Sequence, residues 1–320
     1  MLYKNMIQIL SETKDLLLTG HVEPDGDSVG SLLGIYHAFD GKNKGWQMVL
    51  RDEVPENLRF LQDWNLIKKP SNLTIKPSAI LLVDCSDIKR AGEEWLLSYY
   101  EEKIPCYVID HHPSDVSTGD FSLVEIEAAA TAEIVAAMIE EMGIELDREQ
   151  ATCLYTAIVS DTGCFRYLNT TPRSMQLCAK YLALGIDLEP IRIRLFEDRS
   201  FTNMRILSAA INSLQVSTDG MLAWMFVDQA TMQKYQAGPG DCTSIVNFSL
   251  AVEGVKIGLF FEEYMNDVKV SLRSRRGYSV NDIAAAFGGG GHVMAAGCRV
   301  KGNLATVMPQ ILQAFKDKLK

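Results

Sequence analysis

Carboxylates and imidazoles in this chain are gathered into four short segments. The first runs His21-Val22-Glu23-Pro24-Asp25-Gly26-Asp27-Ser28. The second is Val83-Asp84-Cys85-Ser86-Asp87, the third Asp110-His111-His112, and the fourth Ser160-Asp161-Thr162-Gly163. Only five histidines occur in 320 residues. His21, His111 and His112 fall in these segments, and His292 follows a run of glycines; His37 lies in a helical pattern and reads as structural. Oxygen and nitrogen donors without a thiolate suit Mg2+, Mn2+ or Fe2+ better than a structural zinc. Asp25 and Asp27 stand two apart across Gly26, which allows a tight turn. In an extended chain such residues point the same way, so each carboxylate can serve one of two cations roughly 3.5–4 Å apart. Asp25, Asp27, Asp84 and Asp161 together carry a charge that two divalent ions would neutralise.

Each segment has a bland reading by itself. Pro-Asp-Gly is turn chemistry, Asp-Ser before a helix is an N-cap, and a lone acid after a strand is usually a loop residue. The conjunction, in this order, is what points to a centre. Gly288-Gly289-Gly290-Gly291-His292 reads either as a flexible loop or as backbone that lets a phosphate approach beside an imidazole. Arg273, Arg275 and Arg276 read as a solvated face, or, for Arg273 at a strand end, as a bidentate phosphate ligand. Cys85, Cys153 and Cys164 flank the acids. Acidic surroundings raise a thiol pKa, which excludes a cysteine nucleophile.

Elements must bring these segments together. Residues 1–185 alternate apolar strands (16–20, 47–51, 79–83, 106–109) with helical patterns (30–39, 129–142, 149–159, 174–184), predicting an α/β fold with a largely parallel sheet. Residues just beyond the C-terminal ends of parallel strands share one crevice. Asp25 and Asp27, Asp84, and Asp110 to His112 follow such strands, while Asp161 closes an apolar helix. Residues 186–215 read as a helical linker. Residues 216–320 read as a smaller α+β domain, with strands at 222–227, 255–261 and 268–272 and a helix at 282–287.

The totals agree with two domains, since single cores stop growing near ~250–300 residues. No apolar run approaches the ~20 residues that cross a bilayer, and the N-terminus lacks the pattern of a signal peptide. Seven cysteines without CxxC pairing point to reduced thiols in the cytoplasm. A net charge of −10 argues against coating long nucleic acid and for a short, locally gripped substrate.

The four segments, followed by Gly-Gly-Gly-Gly-His and Ala295-Ala296-Gly297, resemble the DHH phosphoesterase superfamily over nearly the whole chain. Within it they resemble the stand-alone two-domain type that comprises oligoribonucleases (nanoRNases) and 3′-phosphoadenosine 5′-phosphate phosphatases. The resemblance implies a parallel-sheet catalytic domain with helices on both faces (1–185) and a substrate-binding domain (216–320). It implies two divalent cations, Mn2+ before Mg2+. One is held by His21, Asp25 and Asp84, the other by Asp27, Asp84, His111 and Asp161. It implies that His112 contacts the scissile phosphate with Asp110 in support. Arg273, Gly290, Gly291 and His292 would hold the nucleotide or terminal phosphate of a substrate lying between the domains. Short RNA and 3′-phosphoadenosine 5′-phosphate are the implied substrates. Linear or cyclic dinucleotides are an alternative with the same metal site. A non-catalytic nucleotide-binding protein is a second, disfavoured because every candidate metal ligand is present. Pyrophosphatase and RecJ-like activities fit less well, and a homodimer is left open.

Overall fold

Runs of apolar residues set the architecture of the first unit. In this computed structural model, which describes residues 2–113 and 119–318, the chain divides into two units, Met1–Asp198 and Arg199–Lys320. The first contains α1 (Leu2–Glu12), β1 (Leu16–Thr19), α2 (Gly26–Ala38), β2 (Gln47–Met48), β3 (Ala79–Val83), α3 (Ile88–Glu101), β4 (Cys106–Asp110), β5 (Phe121–Val124), α4 (Thr131–Glu141), α5 (Arg148–Asp161), α6 (Pro172–Ala183) and α7 (Leu188–Arg192). Its five strands are parallel in the order β2-β1-β3-β4-β5.

β1 and β3 are buried along their whole length, as parallel strands covered on both faces must be. Alternate residues face opposite ways. Leu16, Leu18, Leu81 and Val83 join the cluster that includes α2, α4 and α5. Leu17, Ile80, Leu82 and Val108 pack against Ile88, Ala91 and Leu96 of α3. The expected α/β class with helices on both faces is what is found. β2 stops at Met48, short of the expected 47–51, and β5 is a strand that the residue pattern did not announce.

α2 is buried from Gly26 to Tyr36. Glycines every four residues make this possible. A Cβ at Gly26 would lie 2.5 Å from Ser160 Cβ, and one at Gly30 would lie 2.5 Å from the Cys153 carbonyl, so the helix rests almost backbone-to-backbone on α5. The expectation of an extended Asp25–Asp27 around a turn at Gly26 is therefore not met. Asp25 is the N-cap of α2, and Asp27 sits in its first turn. Gly26 is needed for close approach to Ser160.

The second unit contains α8 (Phe201–Asn212), β6 (Gln215–Val216), β7 (Leu222–Val227), α9 (Gln229–Lys234), α10 (Val246–Leu250), β8 (Ile257–Glu263), β9 (Asp267–Ser274), α11 (Asn281–Ala286), β10 (Gly290–His292), β11 (Ala295–Lys301) and α12 (Leu304–Lys318). A six-stranded sheet has the order β10-β11-β9-β8-β7-β6. Neighbours are antiparallel except β7 and β8. Leu259, Phe261 and Leu272 pack with Val307, Ile311 and Phe315 of α12. Met225, Val227 and Phe260 pack with Ile206, Met232 and Val246 from α8, α9 and α10. This is the smaller α+β domain that the sequence predicts. The glycine run is not a loop: its end is strand β10, paired with β11. Among the described residues no helix is long and apolar enough to cross a membrane.

Candidate metal centre

The chain passes from β1 to β2 on one side, and β3 then pairs on the other side of β1. In sheets of this order the ends of the first and third strands part, leaving a crevice at the switch point. His21 to Asp27 follow β1 and Asp84 follows β3, so the first two segments meet there. Asp110 ends β4 and leads into His111 and His112. Asp161 is the last residue of α5. Asp84 adopts φ +62°, in the left-handed region where a Cβ crowds the backbone carbonyl, and its N–H is anchored to the Ile109 carbonyl at 2.9 Å. Strain of this kind, about 1–3 kcal/mol, persists where the surroundings enforce it and marks functional sites.

Two histidines are wired alike. His21 Nδ1 lies 2.8 Å from the Val22 carbonyl, and His111 Nδ1 lies 3.1 Å from that of Ala128. A carbonyl can only accept, so in each ring Nδ1 carries the proton and Nε2 is turned towards the acids. This arrangement fixes the tautomer of a metal-binding imidazole. His21 Nε2 faces Asp84 Oδ2 at 3.4 Å and Asp25 Oδ1 at 3.7 Å. His111 Nε2 faces Asp161 Oδ2 at 3.2 Å, Asp84 Oδ1 at 3.7 Å and Asp27 Oδ2 at 3.8 Å. Most of these separations exceed a good hydrogen bond. Donor atoms in the groups His21/Asp25/Asp84 and Asp27/His111/Asp161 all lie within 4.8 Å of one another. Asp84 enters the first group through Oδ2 and reaches the second through Oδ1.

His112 is wired differently. Its Nδ1 lies 2.8 Å from Asp110 Oδ1. Asp110 also accepts the backbone N–H groups of His111 and His112 and the Ser86 hydroxyl. Burial works against an ionised Asp110, but the bonds from His112 and Ser86 hold it below the ordinary carboxylate range. The grouping Asp84/His111/His112 is also compact, yet His112 Nδ1 is already engaged by Asp110.

Electrostatics test the donor set. Burial and the neighbouring Asp27 push Asp84 and Asp161 well above the usual carboxylate range. Burial opposes a charged His21, but Asp25 and Asp84 outweigh it and raise the imidazole to about 11. Without cations, protons must relieve the crowded carboxylates. Such a centre exchanges protons for divalent ions, so the residues fit the cations that their chemistry suggests. The thiols do not compete: burial, then Asp110 and Asp84, push Cys85 up, and burial pushes Cys153 up to about 12.

In the second unit, Arg273 of β9 stands opposite Ala295 of β11, and Ala295 stands opposite His292 of β10. Opposed residues share a sheet face, so the two basic side chains flank a single methyl group. Gly291 has φ +134°, and a Cβ there would lie 2.6 Å from the Ala295 carbonyl. A Cβ at Gly290 would meet nothing within 4 Å. Ser31 falls in the motif that the first segment opens, but residue types assigned no role to Ser31, whose hydroxyl bonds Asp27, or to Thr131, which bonds both Asp27 and Asp84. Ser31 follows Asp27 at helical i+4 spacing and was findable. Thr131 lies among alanines and carries no local signal.

Residues 15–158 match the DHH family, N-terminal domain, and residues 201–320 match the DHHA1 domain. The chain is similar to the bifunctional oligoribonuclease and PAP phosphatase NrnA of Thermus thermophilus, 31% identical over 307 residues that cover 95% of this chain and 90% of that protein. It is 23% identical to the Bacillus subtilis protein of the same name over 309 residues, 92% of each chain. A solved structure of an exopolyphosphatase-related protein from Bacteroides fragilis aligns with a TM-score of 0.90 at 25% identity, covering 99% of this chain and 97% of that one.

Proposed function

We propose the activity of this chain from one premise: it belongs to the DHH phosphoesterase family. It is a metal-dependent phosphoesterase. Our reading is that it hydrolyses short oligoribonucleotides to mononucleotides and 3′-phosphoadenosine 5′-phosphate to AMP, as the names of its relatives describe for those proteins. A net charge of −10 supports short substrates over long strands. Seven free thiols support a reducing compartment such as the cytoplasm.

The observation that carries the reading is Asp84, whose two oxygens face two different donor groups. In this reading His21, Asp25 and Asp84 hold one cation, and Asp27, Asp84, His111 and Asp161 hold the other. Imidazole in both sets favours Mn2+ over Mg2+. Two bound divalent cations would supply a water of lowered pKa and charge neutralisation at phosphorus. His112, held in orientation by Asp110, stabilises charge developing on the phosphoryl oxygens. Arg273 and His292 take the terminal phosphate or nucleotide, with Gly290 and Gly291 giving backbone access.

Rates with Mn2+ and Mg2+ on RNA di- to pentanucleotides, 3′-phosphoadenosine 5′-phosphate, a linear diadenylate, cyclic diadenylate and pyrophosphate test this. Fastest turnover of the first two is expected with Mn2+. Turnover of the linear diadenylate to the exclusion of other short RNAs, or preference for cyclic diadenylate or pyrophosphate, would overturn the substrate assignment, and no release from any of them would leave a binding protein.

A further inference from the structure

We infer that Thr131 is a positioning residue that sets how Asp27 and Asp84 present their oxygens around His111. The inference rests on the two-cation reading above.

The helix α4 starts at Thr131, and its N-cap, Ala130, has no side chain to offer. The first N–H groups of a helix need outside acceptors. Asp27, 104 residues earlier, provides them: Thr131 N–H donates to Oδ2 at 2.6 Å and Ala132 N–H to Oδ1 at 3.1 Å. The Ser31 hydroxyl adds a bond to Oδ1 at 2.8 Å. A carboxylate offers about four lone-pair sites. Both on Oδ1 and one on Oδ2 are occupied, so Asp27 can ligate through a single position on Oδ2, the oxygen that faces His111.

Thr131 Oγ1 donates to Asp84 Oδ1 at 3.0 Å. That bond takes one lone pair of Oδ1 and leaves the other for the His111 side. Asp84 Oδ2 faces His21 instead. A single residue therefore bonds Asp27 Oδ2 through its backbone and Asp84 Oδ1 through its side chain. Thr131 is fully buried, and a β-branched side chain in a helix has few rotamers. It works as a rigid spacer between the two carboxylates and takes one lone pair from each of the two oxygens, Asp27 Oδ2 and Asp84 Oδ1, that face His111.

The test uses the full chain. Thr131→Val keeps shape, burial and backbone N–H but removes the hydroxyl; Thr131→Ser keeps the hydroxyl. Mn2+ binding is followed by titration calorimetry and by the electron paramagnetic resonance of the spin-coupled ion pair, with circular dichroism of the metal-free proteins as a folding control. Wild type should bind two equivalents. Thr131→Val should lose ~10–100-fold in affinity for one of them, the usual effect of losing an outer-shell partner, and weaken the coupled signal. Thr131→Ser should restore both to within a few fold. A valine variant that titrates as wild type, or a serine variant as weak as valine, overturns the inference. If the valine variant does not fold, Thr131→Ala and Thr131→Ser decide: loss in alanine with retention in serine supports the role, and equal affinities refute it. If wild type binds no divalent ion, the two-cation reading fails first and takes the inference with it.

Discussion

The acidic centre of the first unit and the basic row of the second are built in opposite ways. In the centre, Asp27, Asp84 and Asp110 are buried almost completely, and each accepts hydrogen bonds from named N–H or O–H groups. Like charges packed in a low-dielectric site repel strongly, so every carboxylate there needs a donor, a proton or a cation. The row of Arg273, Ala295 and His292 instead spans three neighbouring strands, β9, β11 and β10. Strand register aligns it, and its His292 end lies on the exposed edge strand β10. A change in the centre should therefore disturb ion binding and chemistry together, whereas a change in the row should disturb substrate capture alone.

The largest expected effect is at Asp84, the proposed shared ligand. Asp84→Ala should stop Mn2+ from raising the melting temperature and lower turnover by about 10^3-fold or more, as loss of several kcal/mol of metal stabilisation requires. Substantial retained turnover would break the two-cation account. Next comes His112→Ala, expected to lower kcat by about 10^2–10^3-fold, the scale for removing one group that stabilises developing charge. Its Mn2+ stoichiometry should stay at the wild-type value; a lost equivalent would make His112 a ligand.

In the second unit, Arg273→Ala or His292→Ala should raise KM by about 10–100-fold, matching a charged hydrogen bond of roughly 1.5–3 kcal/mol. Mn2+ titrations of these variants should be indistinguishable from wild type, and a change there would erase the contrast between the two regions. The smallest and sharpest comparison is between neighbouring glycines. Gly291→Ala meets both a positive φ and the Ala295 carbonyl, and should cost about 1–3 kcal/mol in denaturant melts. Gly290→Ala meets open space and should stay within roughly 0.5 kcal/mol of wild type while raising KM. Equal stabilities for the two would refute the assigned geometry of β10.

Particular residues show why some of this was readable in the sequence. The strands Ala79–Val83 and Leu222–Val227 have their predicted bounds, because continuous apolar runs leave little other choice. β5 escaped notice because, within Phe121–Val124, only Leu123 is fully buried. β10 reads as a loop because glycine has no strand preference, and pairing with β11 is what makes it a strand.

Residue type and short-range spacing are properties of the chain itself. They determined the kind of chemistry (carboxylate and imidazole without thiolate), the α/β class, and which short segments hold the acids. They could not determine the order β2-β1-β3-β4-β5, which opens the crevice beside β1 and β3. Nor could they determine that Asp25 and Asp27 reach their two donor groups from the cap and the first turn of one helix, not from an extended loop. The hydroxyl of Thr131 reaches Asp84 across 47 residues, and its N–H reaches Asp27 across 104. Contacts at that separation depend on how α2, α4 and α5 pack. Packing is a property of the whole core, so the wiring of the centre was decided only in the tertiary structure.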